Sequence, residues 1–291
     1  MSLEEQLLAL CRTRLEAGER PVIGLNGPVG AGKTTLCRSL QTRFAAAGLR
    51  LAVASIDDAY LPLQQRRVAM AGNPFGVGRV PPGSHDPEAL AAPIRRWRCA
   101  PSPRLSLPRF DKTLHGGQGD RIAPWSGVAD ALLLEGWLVG CLPIPEHRLQ
   151  QQLLGAGPGV AALTAAERQW VLVCNRSLEA YQPLWELLDP LLLLWPRDWR
   201  WPRRWRFQAE ARQRHHTRHH GGGWLPPDQL QALVDASLKS LPAELYQQPL
   251  LQRATLLRLL DGRRRVIWEG SPLAAPGAEA QASSPSSSAT G

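Results

Sequence analysis

Residues 27–34 read Gly27-Pro28-Val29-Gly30-Ala31-Gly32-Lys33-Thr34 and fit the phosphate-loop pattern G-x-x-x-x-G-K-[ST] at every fixed position. The flanks agree with the motif. Pro21-Val22-Ile23-Gly24-Leu25 is a short apolar run of strand type, and Thr35 to Ala47 has helical composition. A strand, a glycine-rich turn and a helix N-terminus together make an anion site. Backbone N–H groups point into the loop, and the helix dipole favours negative charge there. The predicted nucleotide-binding set runs from Gly27 through Thr35. Within it Lys33 reaches the β- and γ-phosphates and the Thr34 hydroxyl holds Mg²⁺. The competing reading is a glycine-rich turn that binds nothing.

Beyond the loop, apolar strands alternate with helices. Arg50 to Ile56 is a second strand that ends in Asp57-Asp58. His85-Asp86-Pro87-Glu88 opens a helix, with Asp86 at N-cap and Pro87 at N1. Arg104 to Pro108 is a short strand, and Asp130 to Glu135 a buried one ending in a carboxylate. Arg176 to Leu188 reads as helix, Pro190 to Trp195 as an all-apolar strand, and Trp199 to His216 and Pro227 to Leu245 as helices. Thr255 to Glu269 reads as a hairpin turning at Asp261-Gly262. This alternation predicts an α/β fold, a parallel sheet of phosphate-loop NTPase type with helices on both faces. Sites in such sheets lie at the carboxyl ends of the strands, where Asp57, Glu135 and the loop would meet.

That meeting point suggests phosphoryl transfer, which needs a metal, a group that orients the acceptor, and cations on the moving charge. Asp57 follows the second strand and can accept the acceptor hydroxyl's proton; its alternative is a turn or cap residue. Glu135 ends a buried strand, where a carboxylate is costly unless paired or metal-bound. It reads either as a Mg²⁺ partner of Thr34 or as the salt-bridge partner of a core arginine.

Composition bounds the partners. The 291 residues carry 34 Lys and Arg against 25 Asp and Glu, a net charge of +9 that suits anionic partners. Basic residues follow no stripe and no nucleic-acid motif is present, so a small-molecule substrate is expected rather than nucleic acid. Five scattered cysteines without a C-x-x-C argue for reduced thiols and a cytoplasmic protein. Ser2 to Ala17, acidic at its start, reads as an amphipathic helix rather than a targeting signal. No run is long and apolar enough for a membrane span. The expected organisation is one kinase domain over 1–270 and a disordered Ala/Ser/Pro/Gly-rich tail over 271–291. Oligomeric state is not legible.

Seven blocks, in order, resemble the D-glycerate 3-kinases. They are Ser55-Ile56-Asp57-Asp58-Ala59-Tyr60, Gly83-Ser84-His85-Asp86, Pro108-Arg109-Phe110-Asp111-Lys112, Gly119-Asp120-Arg121, Leu134-Glu135-Gly136-Trp137, Asn175 to Tyr181 and Arg204 to Glu210. That group includes the plant photorespiratory enzyme and sits with the uridine kinase, pantothenate kinase and phosphoribulokinase branch. The resemblance implies ATP-dependent, Mg²⁺-assisted phosphorylation of D-glycerate to 3-phospho-D-glycerate. It implies catalytic roles for Asp57, Lys33 and Glu135, with Glu135 near the metal. It implies that His85, Arg109, Asp111 and Lys112 line the acceptor pocket. Arg109 can grip a carboxylate in a bidentate way, Lys112 adds a point charge and Asp111 can take a hydroxyl. Asn175 and Tyr181 read equally as pocket residues or as a helix cap and a packed aromatic. Arg197 to Arg218 corresponds to the branch's lid, from which Arg204 and Arg206 would bring charge to the transition state; the alternative is a basic helix packed on the sheet.

Three features depart from the family. Ala59 stands where the branch usually has an aromatic. His215, His216, His219 and His220 beside Gly221–Gly223 read as a basic linker or a transition-metal site. Gln150 to Ala166 reads as a local insertion. The rival functions are a kinase of the same fold acting on a nucleoside, pantothenate or sugar phosphate, a nucleic-acid-binding NTPase, and a nucleotide-binding regulator without turnover.

Overall fold

In a computed structural model of the protein, residues 1–216 and 226–276 are described, the side chains of 213–216 excepted. The predicted histidine group and the tail beyond residue 276 therefore lie outside the described part.

The chain builds a six-stranded sheet in the order β2-β5-β1-β6-β7-β8. These strands are β1 (Val22–Asn26), β2 (Leu51–Ser55), β5 (Ala131–Gly136), β6 (Leu191–Pro196), β7 (Leu256–Leu260) and β8 (Val266–Gly270). All neighbours run parallel except β7 and β8, which form the antiparallel hairpin expected from Asp261-Gly262. β1, at the centre, is buried along its whole length. Because side chains alternate across a strand, each strand feeds two cores. Ile23, Leu25, Leu133, Leu192 and Leu194 face one core with the helices Leu3–Glu16 and Lys33–Ala46. Val22, Leu132, Leu134, Leu193 and Trp195 face the other, against the helices Glu88–Cys99 and Ala165–Ser177.

Four predicted elements differ from those observed. The expected short strand at 104–108 is β3 (Arg104–Asp111). It pairs with an unexpected β4 (Asp120–Val128) as a two-stranded antiparallel ribbon outside the main sheet. The 176–188 helix is really the end of Ala165–Ser177, followed by a 3₁₀ turn, Leu178–Tyr181, and one turn of helix at Gln182–Trp185. Pro183 lacks the N–H that a continuous helix would need, and it sits instead in the first turn of Gln182–Trp185. Pro242 likewise splits the expected 227–245 helix into Pro227–Lys239 and Ala243–Tyr246. The helix at 88–99 begins one residue later than expected, with Pro87 rather than Asp86 at N-cap, and the Asp86 carboxylate accepts from the Ala89 N–H at 3.2 Å just ahead of it.

The helix Trp201–His216 lies directly on the phosphate loop. Gly30 has φ 75°, and a Cβ there would lie 2.6 Å from the Arg206 backbone nitrogen. The hairpin turn holds the same helix, since the Gly262 carbonyl accepts from Trp205 Nε1 at 2.9 Å and Arg204 Nη2 at 2.7 Å. Gly30→Ala is therefore predicted to combine a left-handed backbone penalty with a backbone collision. We expect roughly 2–4 kcal/mol of lost stability by urea denaturation, with weaker nucleotide binding in titration. A variant as stable as the parent would show that the helix does not rest on the loop.

Candidate functional site

The loop leaves β1 after Asn26 and enters the helix at Lys33, so the motif lysine and Thr34 occupy its first turn. Gly32 stands at the N-cap with φ 96° and supplies no capping side chain. The first-turn amides are thus left for an anion, as the motif requires. Lys33 Nζ folds over the loop and donates to the carbonyls of Gly27 (2.9 Å) and Pro28 (3.3 Å). Glu135 lies on β5 in register with Leu25 and Ser55, and one of its oxygens is 3.9 Å from Lys33 Nζ. Burial raises the Glu135 carboxyl and the nearby Asp57 charge raises it further, while Lys33 opposes both.

Asp57 sits on a 3₁₀ turn, Ile56–Ala59, that follows β2. Ser55 builds this turn. Its hydroxyl accepts from the Asp57 N–H at 3.2 Å, and its own N–H donates to the Asp58 carboxylate at 3.0 Å. Asp58 is therefore buried and used as a cap, while the Asp57 side chain keeps a quarter of its exposure. Lys112 Nζ donates to Asp57 at 2.6 Å, and His85 Nε2 is 3.7 Å from its other oxygen. Burial works against a charge here, yet Lys112 and His85 hold the Asp57 carboxyl well below the usual carboxylate range. Burial also lowers His85, against the pull of Asp57. Its Nδ1 is 2.8 Å from the Tyr181 hydroxyl, it stacks on Tyr60 with centroids 4.4 Å apart, and its buried Nε2 has no hydrogen-bond partner among the described residues.

The structure brings together Lys33, Glu135, Asp57, His85 and Lys112. Two other sequence-predicted residues point to different work. Asp111 accepts from the N–H and hydroxyl of Thr113, at 2.8 and 2.6 Å, and so closes a turn; those bonds lower its carboxyl. Arg109 is half-exposed, with Nε 3.6 Å from Asp58. Asn175 is buried and braces the Ile144 backbone at 2.8 Å on both its polar ends, while Tyr181 serves His85. Arg206 lies beside the Asp57 pocket and pairs with Glu210 at 3.2 Å; Arg204 turns instead to the hairpin.

Next to Asp57 is a cavity of about 130 Å³, walled by Val29, Tyr60, Arg79, Val80, Lys112, Trp137, Arg206, Leu233 and Val234. Arg79 carried no sequence signal, being one arginine in an irregular Gly/Pro-rich stretch. Tyr60 and Trp137 stood inside quoted blocks but were given no role. Among the described residues no group of three or more His, Cys, Asp or Glu could hold a metal on its own, and no helix is long and apolar enough to cross a membrane. Thr34 and Glu135 suit a hard cation that is also held by phosphate oxygens, because both present oxygen donors.

No family model matches the chain. It is 30% identical over 226 residues to the chloroplastic D-glycerate 3-kinase of Arabidopsis thaliana, covering 72% of this chain and 46% of that protein. It is 28% identical over 189 residues to an uncharacterized kinase, mug58, of Schizosaccharomyces pombe, covering 60% of this chain and 64% of that one. The chain thus spans less than two thirds of the length of either relative. A solved D-glycerate 3-kinase from Cryptococcus neoformans superposes with a TM-score of 0.79 at 24% identity, over 93% of this chain and 99% of that one. By sequence and by fold, this chain belongs to the D-glycerate 3-kinase family.

Proposed function

We propose that the protein transfers the γ-phosphoryl group of ATP to the 3-hydroxyl of D-glycerate. The observation that carries this reading is Asp57. It is a carboxylate held ionised at the carboxyl end of β2, beside the phosphate loop, and opening onto a small cavity lined with cations. The named relatives support the choice of acceptor.

Each residue's part follows from its chemistry. The loop amides and Lys33 hold the β- and γ-phosphates, and Lys33 moves with the charge toward the bridging oxygen. Thr34 and Glu135 would hold Mg²⁺, which shields the phosphates from one another when bound. A carboxyl kept as acidic as Asp57 is a weak base for a free hydroxyl. It is a strong hydrogen-bond acceptor, and it fixes the hydroxyl's lone pair toward phosphorus. The proton passes to Asp57 Oδ late, once the oxygen–phosphorus bond has begun to form and the hydroxyl has become acidic. The buried His85 offers Nε2 toward the same place, where it can hold a second hydroxyl. Arg206, on the helix above the loop, adds positive charge where the phosphoryl group crosses. The relatives support a kinase of small molecules; we place its work in the cytoplasm on the strength of the free, scattered cysteines.

Three outcomes check the proposal. ADP release over a panel of hydroxy acids, nucleosides and pantothenate should select D-glycerate, and phosphorus NMR should find the product on the 3-hydroxyl. Turnover with a nucleoside alone would overturn the assignment. Lys33→Ala should lower turnover by roughly 10²–10³ in a folded protein; near-normal activity would move the reaction away from this loop. Asp57→Asn should lower turnover by roughly 10²–10⁴ with little change in ATP affinity. Asp58→Asn should cost less than about tenfold, since an amide oxygen can still accept from Ser55. If Asp58→Asn is the crippled variant, the orienting carboxylate is the other member of the pair.

A further inference from the structure

We infer that Arg79 is the residue that grips the carboxylate of the acceptor, and that the segment Gly78-Arg79-Val80 is shaped to present it. The inference rests on the glycerate reading but goes beyond it, since neither the motif nor the family blocks include this segment.

Arg79 is the one guanidinium on the cavity wall, among the described residues, that has no carboxylate partner. Lys112 is engaged with Asp57 at 2.6 Å and Arg206 with Glu210 at 3.2 Å. Arg79 Nη1 donates to the carbonyls of Gly117 (2.6 Å) and Gln118 (3.1 Å) at the turn of the ribbon. One nitrogen is thereby pinned, and the Nε–Nη2 edge has no acceptor among the described residues. That edge is the fork that binds a carboxylate in two parallel hydrogen bonds. Arg109, by contrast, stands off the cavity wall, with 45% of its side chain exposed, and faces Asp58.

The segment carrying Arg79 is held in place on both sides. Arg66, fully buried, donates from Nε to the Gly78 carbonyl at 2.8 Å and from Nη2 to the Gln118 and Gly119 carbonyls at 2.6 and 2.8 Å. Its guanidinium lies over Phe110, 4.9 Å from the ring centroid. Arg66 and Arg79 therefore fasten the same ribbon turn to the same strap. Upstream, Asn73 closes the preceding loop with bonds to Met70, Phe75 and Val77. Val80 then takes φ 95°, a left-handed conformation costly for a β-branched side chain, and it lines the cavity beside Arg79. A strained residue over-determined by its surroundings is what a fixed binding group needs. Asp57 and Arg79 line one cavity of about 130 Å³, so an acceptor's reacting hydroxyl and its carboxylate each have a partner on the same wall. A neutral triol would leave Arg79 without a partner, and so bind more weakly.

The test measures kcat/KM for D-glycerate and for glycerol, as substrate or as competitive inhibitor, on single preparations of the parent, Arg79→Met, Arg79→Lys and Arg109→Met. Taking the ratio within one preparation cancels any unfolded fraction. Arg79→Met should lower the preference for glycerate over glycerol by about 10–100-fold, chiefly through the glycerate KM. The ATP KM should stay within about threefold, because the hydrogen bonds of Arg79 go to the ribbon turn and not to the loop. Arg79→Lys should recover part of the preference, and Arg109→Met should leave it nearly unchanged. Collapse of the ratio in Arg109→Met but not in Arg79→Met overturns the inference. So does an equal fall for both compounds in Arg79→Met, which marks a purely structural role. If the parent prefers another carboxylated alcohol, the glycerate reading fails, and the same ratio for that acid against its neutral alcohol decides Arg79. If the parent prefers a neutral acceptor, both readings fall.

Discussion

The Lys112 ammonium lies 2.6 Å from the Asp57 carboxylate, and this contact joins two parts of the protein that share no sheet. Asp57 belongs to the edge of the main sheet and Lys112 to the ribbon of β3 and β4. Without the ammonium, the carboxylate would stand in a desolvated corner beside Glu135, and two carboxyl groups so close cannot both stay ionised at low cost. The rest of the site can be read as support for this arrangement. Arg121 ties the ribbon back to the Tyr60 carbonyl at 2.9 Å and to Asp86 at 3.1 Å. Tyr60 packs against both His85 and Phe110. Asp120 accepts from the Leu63 N–H at 3.2 Å. Many residues of the family blocks thus work at one remove: they position the ribbon that positions the cation.

The division between Glu135 and Asp57 follows from the same geometry. Both are carboxylates at strand ends, yet burial pushes the first up while cations hold the second down. Two similar groups with opposed environments can take different parts in one reaction. Cations gathered around Glu135 favour its charged form against burial. Asp57 carries its charge permanently.

The central architecture was legible because it is written in short, dense signals. A phosphate loop must sit between a strand and a helix, and apolar runs ending in a carboxylate must point their ends the same way. The hairpin at Asp261-Gly262 was legible from its turn chemistry, and in the structure the Asp261 carboxylate accepts from the Arg263 and Arg265 N–H groups at 2.8 and 2.9 Å. The ribbon was not legible. β4 contains Pro124 and Gly127 and is mostly exposed, so it shows no buried face and no alternation. Its register comes from β3, a non-local cue. The helix 165–177 was missed except for its last two residues, although Thr164 and Glu167 form a capping box that marks its start. Of the candidate site, the carboxylates and the loop were legible. Arg79 was not, because its meaning comes from Arg66 and the ribbon turn, which are distant in sequence.

The final hairpin has a consequence for the order in which the molecule is made. Gly262 holds the helix that rests on the loop, and Arg264, at φ 64°, points back so that Nη1 comes within 3.4 Å of the Gly30 carbonyl. Glu269 accepts from the Leu3 N–H at 3.2 Å, and Arg258 joins Glu269 to Glu4. On a ribosome, the loop emerges about 170 residues before its roof and more than 220 residues before its outer brace. Over that interval a growing chain exposes a bare glycine-rich turn, and it acquires a rigid nucleotide cradle only as the hairpin folds. The segment that announces the fold is made well before the parts that finish it.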